Sequence, residues 1–163
     1  MQVGVCTWTF GPRPIEDIAE RIANLGFNGV ELHGDLDNFT VQGTKALFDR
    51  HDLQIFSLTP DNVDLIHQDA KIRDRALDYY KRLIDFAAAL GQGTRVSCHG
   101  DVGRIKAFTS QNEEMELLQK ACNALCRHAE DAGVPLVFEV LNRYESHVVN
   151  SAAQALNLLA GLD

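Results

Sequence analysis

Residues 139–145 hold the densest group of reactive side chains in this chain of 163 residues. Glu139 is followed within six positions by an amide, a guanidinium, a phenol and a second carboxylate, which belong to Asn142, Arg143, Tyr144 and Glu145. Two carboxylates this close in sequence can move protons to and from a substrate, and they can also bind a hard cation. The segment therefore predicts acid–base or metal-assisted chemistry.

An apolar run at residues 134–141 leads into these polar residues, and Glu139 lies inside it. Such a run predicts a strand that is covered on both faces, as in a parallel sheet. A glutamate in that position is costly unless a cation or hydrogen-bond donors satisfy it. We therefore expect Glu139 to be a buried functional residue near the end of a strand, where α/β enzymes hold their reactive groups. A structural, salt-bridged glutamate is the alternative.

Five short runs of strand type alternate with five longer stretches that have helical periodicity. The predicted strands are residues 3–6, 29–33, 53–58, 94–99 and 136–141. The predicted helices are residues 14–25, 43–51, 71–90, 111–132 and 151–162. Strands that each precede a helix predict a parallel sheet with right-handed crossovers. Gly26, Gly91 and Gly133 follow helical stretches directly, where a left-handed residue is expected.

Two architectures fit this alternation: an open doubly wound sheet, or the first five units of a (β/α)₈ barrel. A dinucleotide-binding fold would place Gly-x-Gly-x-x-Gly after the first strand, but residues 7–12 read Thr-Trp-Thr-Phe-Gly-Pro. The absence of that motif favours the barrel. We therefore predict the α/β class, with a parallel barrel of TIM type that is incomplete, five of eight units, and a single domain over residues 1–163.

The strand ends of a barrel converge on one face, so the polar residues that follow each strand are expected to act together. His99 follows the fourth strand; it is either a core histidine or a substrate contact, and Gly100 favours the second because it lets a ligand approach. Trp8 follows the first strand and either lines a sugar pocket or packs the barrel end. Glu31, in the second strand, either joins the site or balances a base inside the barrel.

The composition restricts the partners and the compartment. Fifteen basic residues stand against 23 acidic ones, which gives a net charge of −8. This balance argues against binding to nucleic acid or to an anionic membrane, since both need basic surfaces. No apolar run approaches the length of a membrane span, the N-terminus lacks a signal-peptide pattern, and the four cysteines have no disulfide-scaffold spacing. We therefore expect a reduced, cytoplasmic protein.

Residues 139–155, Glu-Val-Leu-Asn-Arg-Tyr-Glu-Ser-His-Val-Val-Asn-Ser-Ala-Ala-Gln-Ala, resemble the D-tagatose 3-epimerase and D-psicose 3-epimerase group. That group belongs to the xylose-isomerase-like barrel superfamily of sugar isomerases and epimerases. The resemblance implies that Glu139 binds a divalent metal, usually manganese and sometimes magnesium or cobalt, and acts as an acid–base group. It implies that Glu145 contacts the substrate, that Tyr144 lines its pocket, and that the reaction passes through an enediolate.

The sequence departs from this group in two respects. Residues 98–101, Cys-His-Gly-Asp, replace the small turn that is expected after the fourth strand, and His99 resembles a metal-binding histidine of the apurinic endonucleases. Three of the group's four metal ligands lie on later strands than those present, and a whole barrel takes about 250 residues. We therefore expect the 163-residue chain to be inactive alone, to bind manganese weakly and to form homo-oligomers.

Three functions remain open at this point. The first is a metal-dependent sugar epimerase or isomerase with a small-molecule substrate. The second is an endonuclease-like barrel, which His99 favours and the charge of −8 opposes. The third is a non-catalytic partial barrel that acts as an oligomerising module.

Overall fold

The computed structural model describes residues 1–91 and 93–162, which form one sheet covered by helices. The strands are β1 (Gly4–Cys6), β2 (Gly29–His33), β3 (Gln54–Thr59), β4 (Arg95–Cys98) and β5 (Leu136–Phe138). The helices are α1 (Ile15–Asn24), α2 (Val41–Arg50), α3 (Ala70–Leu90), α4 (Gln111–Ala132) and α5 (Ala152–Ala160). A short 3₁₀ helix, Thr7–Phe10, follows β1.

The strands lie in the sheet in chain order, β1-β2-β3-β4-β5, and every neighbouring pair is parallel. A doubly wound sheet reverses its strand order at a switch point, whereas the wall of a (β/α)₈ barrel runs consecutively. The consecutive order therefore confirms the incomplete barrel and removes the doubly wound alternative. An irregularity between Val30 and Glu31 shifts the pairing of β2 with β3 by one residue.

The core lies between the outer face of the sheet and the helices. Alternate residues of the strands, such as Val30 and Leu32, point outward and are fully buried. They pack in one cluster with apolar residues of the helices, which include Ile22, Leu83, Ile84, Leu118 and Leu125. Burial of each such side chain contributes roughly 1.5–3 kcal/mol. The same alternation turns Glu31 and His33 toward the inner face, where both are only partly buried.

The helix ends follow the predicted signals to within about two residues. Hydroxyl or carboxylate oxygens of Thr40, Asp69, Ser110 and Ser151 accept backbone N–H bonds at the starts of four helices. Gly133 ends α4 in the left-handed conformation, with φ of 67° and ψ of 28°. Gly26 and Gly91, for which a left-handed residue was also predicted, have positive φ of 82° and 73°, but the ψ of −153° at Gly91 lies outside the left-handed helical region.

The fifth strand corrects one prediction. It comprises only Leu136–Phe138 rather than residues 136–141, and Glu139 is exposed, as are Val137 and Val140. The prediction of a strand covered on both faces is therefore wrong for this chain. The reason is that β5 is an edge strand, so only β4 and the helices cover it.

Among the described residues, no helix combines the length and the apolar character needed to cross a membrane. The four cysteines Cys6, Cys98, Cys122 and Cys126 are free thiols, and Cys98 and Cys122 are buried.

Candidate functional site

Glu139 follows β5 directly, at the carboxyl end of the sheet. Its backbone N–H donates to the carbonyl of Cys98 over 2.8 Å, which extends the ladder between β4 and β5 by one residue. This bond fixes the backbone at the point where the strand becomes a polar loop. Glu139 therefore lies where the sequence predicted it, at the strand end, although its carboxylate is more exposed than expected.

Glu31 is held on the inner face of the sheet by two neighbouring strands. The Cys6 thiol donates to its Oε2 over 3.4 Å, and the Thr59 hydroxyl donates to its Oε1. Both donors come from the strands that flank β2, so the orientation of this carboxylate is set by the sheet itself. No arginine or lysine is recorded within ion-pair distance of Glu31 among the described residues, so the structure gives no support to the charge-balancing role.

Three carboxylates share one electrostatic environment at this edge. Partial loss of hydration and the negative charges of Glu31 and Glu145 raise the pKa of Glu139 above its usual value. Burial, the hydrogen bond to Glu31 and the nearby acids raise the pKa of the Cys6 thiol to about 11. Like charges at short range disfavour ionisation unless a cation is added, so this group is suited to accept a proton or to attract a cation.

The loop after β5 has an ordered backbone that presents Glu145. The Asn142 side chain donates to the Glu145 carboxylate and accepts the backbone N–H of Tyr144 over 2.9 Å. The backbone N–H of Glu145 donates to the Asn142 carbonyl over 3.0 Å. Asn142 therefore fixes the direction of the Glu145 side chain, while the Tyr144 ring is 82% exposed.

His99 lies directly after β4 and is only 4% exposed. Its Nδ1 has no hydrogen-bond partner among the residues that the structure describes, and burial lowers the pKa of His99 to about 4. The imidazole is therefore neutral at pH 7. Gly100 has a φ of 86°, and an added Cβ would lie 2.9 Å from Leu118 of α4. This glycine is required for local packing, so it no longer supports ligand access at His99.

Trp8 lies in the 3₁₀ helix after β1 and is 48% exposed. It does not belong to the buried core, which favours a role at the open mouth over packing of the barrel end. His33, at the end of β2, places its Nε2 3.9 Å from Asp61 of the neighbouring loop. Tyr79 joins the same two loops, since its hydroxyl donates to the Gly34 carbonyl and accepts the Asp61 N–H.

The model of the family described as Xylose isomerase-like TIM barrel matches residues 19–163. The chain belongs to this family. The predicted membership in this superfamily is confirmed by a match that includes β2 to β5 and the whole of the Glu139 segment.

Curated relatives of this xylose isomerase-like TIM barrel are named as epimerases. Fructoselysine 3-epimerase of Shigella flexneri is 28% identical over a match of 172 residues in length. The match covers 98% of this chain and 61% of that protein. D-psicose 3-epimerase of Agrobacterium fabrum is 25% identical over 157 residues, which cover 90% of this chain and 52% of that protein. The chain thus spans roughly half to three-fifths of the length of these relatives.

Solved structures share the fold over the same extent. The apo structure of 3-keto-D-glucoside 4-epimerase from E. coli has a TM-score of 0.85 at 20% identity, covering 98% of this chain and 64% of the other. D-psicose 3-epimerase with D-tagatose, from Clostridium cellulolyticum H10, has a TM-score of 0.86 at 19% identity, covering 100% of this chain and 60% of the other. The five strands therefore match part of a longer barrel in each neighbour.

The family resemblance implies a divalent cation, and the side chains at β5 fit such a cation only in part. Glu139 offers a carboxylate in a field made negative by Glu31 and Glu145, which suits a hard cation. However, no group of three or more histidine, cysteine, aspartate or glutamate side chains among the described residues could hold a metal ion. Glu139 therefore offers one carboxylate, and the described residues hold no complete ligand set.

A buried ionic cluster beside the site was missed by the sequence analysis. It consists of Asp64, Asp101, Arg104, Glu114 and His147 and is called the Arg104 cluster below. Its members come from three loops and the first turn of α4, so no single periodicity reveals them. The one available signal is that Asp101 and His147 each closely follow a predicted strand end.

A cleft of about 390 Å³ lies at the opposite, amino end of the strands. It is lined by Gln2, Asn28, Asp49, Asp52, Leu53 and Gln54. None of the predicted site residues lines it. Because catalytic groups of barrels lie at the carboxyl ends of the strands, we place the functional site at Glu139 instead.

Proposed function

We propose that this chain is part of a sugar epimerase in which Glu139 transfers the proton. The observation that carries the proposal is the position of Glu139 at the end of β5, with its pKa raised beside Glu31 and Glu145. A carboxylate with a raised pKa is a better base toward a weakly acidic C–H bond. The names of the relatives, fructoselysine 3-epimerase and D-psicose 3-epimerase, support a ketose as substrate.

The proposed reaction inverts the carbon next to a ketose carbonyl. The Glu139 carboxylate accepts the proton of that carbon, and the electron pair of the broken C–H bond delocalises toward the carbonyl oxygen. A second carboxylic acid on the opposite face of the carbon then donates a proton to it, which gives the epimer and leaves Glu139 protonated and the second acid as its carboxylate. The step consumes no oxidant or reductant. A divalent cation, manganese first and magnesium or cobalt as alternatives, would supply polarisation of the carbonyl and would be held in part by Glu139.

The remaining predicted residues are proposed to bind the sugar. Glu145 is directed by Asn142 toward the same edge as Glu139, so we propose that it accepts hydrogen bonds from substrate hydroxyls. Tyr144 and Trp8 present exposed rings that suit the apolar faces of a sugar. We propose His99 as a substrate contact through its Nδ1, which has no hydrogen-bond partner among the described residues; because this atom is buried, the contact requires the loop after β4 to open.

The endonuclease-like alternative is supported by His99 alone. It requires a basic surface, and the chain has a net charge of −8. We propose a small-molecule sugar as the partner for this reason. The free thiols also fit a reduced compartment, so we propose a cytoplasmic protein.

The test uses the whole polypeptide that the gene encodes, purified and supplied with manganese. Epimer formation from a panel of free and amine-linked ketoses is followed by NMR. The wild type is compared with Glu139→Gln and with the matched control Glu116→Gln, which alters an exposed acid of α4. We expect turnover of at least one ketose by the wild type and the control, and none by Glu139→Gln. Cleavage of abasic DNA without ketose turnover would contradict the proposal.

A further inference from the structure

The Arg104 cluster joins loops that follow three different strands. The Arg104 guanidinium lies 3.2 Å from Asp64 after β3, 3.9 Å from Asp101 after β4 and 2.6 Å from Glu114 in the first turn of α4. The His147 Nε2 lies 2.8 Å from the same oxygen of Glu114, Oε2, that the guanidinium contacts. The guanidinium thus connects the loops after β3 and β4 to α4, and Glu114 extends the connection to His147 in the loop after β5.

The side chains of the Arg104 cluster are charged and largely buried, as expected for a specific ionic network and not for a chance contact on the surface. Glu114 is 1% exposed, and the side chains of Arg104 and His147 are 13% and 9% exposed. Both ring nitrogens of His147 face acceptors, since Nδ1 lies 3.0 Å from the Arg104 carbonyl. Buried ion networks add little net stability, but they can select one arrangement of the backbone.

The cluster is coupled to the backbone of Glu145 by three neighbouring contacts. The Gly103 N–H donates to the Glu145 carbonyl over 2.7 Å, and Arg104 and Ser146 form a parallel bridge. The Ser146 hydroxyl donates to Asp101 over 3.0 Å. Residues on both sides of the Glu145 peptide are therefore tied to the loop that Arg104 organises.

We propose that Arg104 is a positioning residue that holds the loop after β5 so that the Glu145 carboxylate stays beside Glu139. Arg104 acts through the backbone of Gly103 and through Asp101, and it touches neither carboxylate. The consequence for turnover rests on the proposed function. The structural claim does not, because it concerns only the placement of the loop.

The structural claim is tested by amide hydrogen exchange with mass spectrometry on the wild-type chain and three variants. Arg104→Met removes the hub, and Ser146→Ala removes only the bond to Asp101, so it remains informative if the first variant folds poorly. Arg82→Met is the control, because Arg82 forms an exposed ion pair with Asp78 within α3. The peptides compared are residues 101–108 and 142–149 against residues 75–88 of α3.

We expect amide exchange in both loop peptides to accelerate about tenfold in Arg104→Met and by a smaller factor in Ser146→Ala. Exchange in the α3 peptide should stay nearly unchanged in both variants, as for a local opening, and the Arg82→Met control should exchange like the wild type. Unchanged loop exchange, or equal acceleration in all peptides, would overturn the proposal. In the whole encoded polypeptide, Arg104→Met and Glu145→Gln should lower kcat more than they raise KM, and the double variant should add little. Additive losses would also overturn it.

Absence of ketose turnover in the wild-type polypeptide would contradict the proposed function alone. In that case the exchange experiment decides the role of Arg104 without any activity measurement.

Discussion

Glu139 has two properties that favour reactivity of its carboxylate. Its backbone is fixed by the Cys98 carbonyl, and its side chain stands in the field of Glu31 and Glu145. The sequence identified the position of Glu139 because an acid inside an apolar run is rare. It could not predict the exposure, because an apolar strand has the same composition at the edge of a sheet as in the middle.

The first prediction concerns Glu139 itself. In the whole encoded polypeptide, Glu139→Gln should remove turnover and weaken metal binding together, because the amide is neither a base nor an anionic ligand. The fold should survive, since the amide nearly preserves volume and the residue is exposed. Calorimetric metal titration and circular dichroism measure the two effects. Wild-type turnover in this variant would remove Glu139 from the mechanism.

Glu145 should behave differently, because it lies in the loop and is oriented by Asn142. Glu145→Gln should reduce kcat/KM for the ketose but leave metal affinity within a few-fold, a free-energy change of under about 1 kcal/mol. Steady-state kinetics and a metal titration on the same preparation separate the two quantities. A collapse of metal affinity would instead make Glu145 a metal ligand.

At the scale of elements, the helices and strands follow from periodicity and capping residues, whereas the loops do not. The stripe of α4 and the glycine that ends it were readable from the sequence, because they repeat with the helical period. Arg104 and His147 are 43 residues apart in number and meet only because β4 and β5 are adjacent. Such contacts depend on the order of strands, which composition does not encode.

Glu114 gives a pH-dependent prediction at this scale. Burial opposes its ionisation, but the Arg104 guanidinium and the Phe108 N–H outweigh burial and hold the pKa of Glu114 below its usual 4.5. A carboxyl group whose folded pKa is lowered contributes stability above about pH 4.5 and loses it as the pH falls through the folded value. Glu114→Gln should therefore cost about 3 kcal/mol of unfolding free energy at pH 7.

The difference in unfolding free energy between the wild type and Glu114→Gln should shrink as the pH falls from 5 toward 3. Urea denaturation at several pH values measures it, and Glu116→Gln serves as an exposed control on the same helix. A difference that stays constant over this interval would show that the Glu114 charge does not stabilise the fold.

At the scale of the whole molecule, β1 and β5 are the edges of the sheet, and no strand among the described residues pairs with their outer sides. Val3, Val137 and Val140 are exposed at or next to these strands. Edges with apolar side chains tend to pair with other chains. The sequence predicted an incomplete barrel from the count of βα units, and the coverage of relatives agrees, since the match spans 61% of fructoselysine 3-epimerase.

The isolated 163-residue chain should therefore self-associate, bind manganese weakly and lack epimerase activity. Weak metal binding is expected because the described residues contain no group of three ligands, and hard cations need several. Light scattering, a manganese titration and a ketose assay test the three statements on one preparation. A monodisperse monomer with turnover would show that five βα units suffice.

Solvent isotope exchange shows whether Glu139 removes a proton from the carbon beside a ketose carbonyl. The whole encoded polypeptide is incubated with manganese and a ketose substrate in D₂O, and deuterium at C3 is measured by NMR. We predict incorporation at C3 with the wild type and with Glu116→Gln, and none above background with Glu139→Gln. Epimer formation without deuterium at C3, or equal incorporation by Glu139→Gln, would contradict this account.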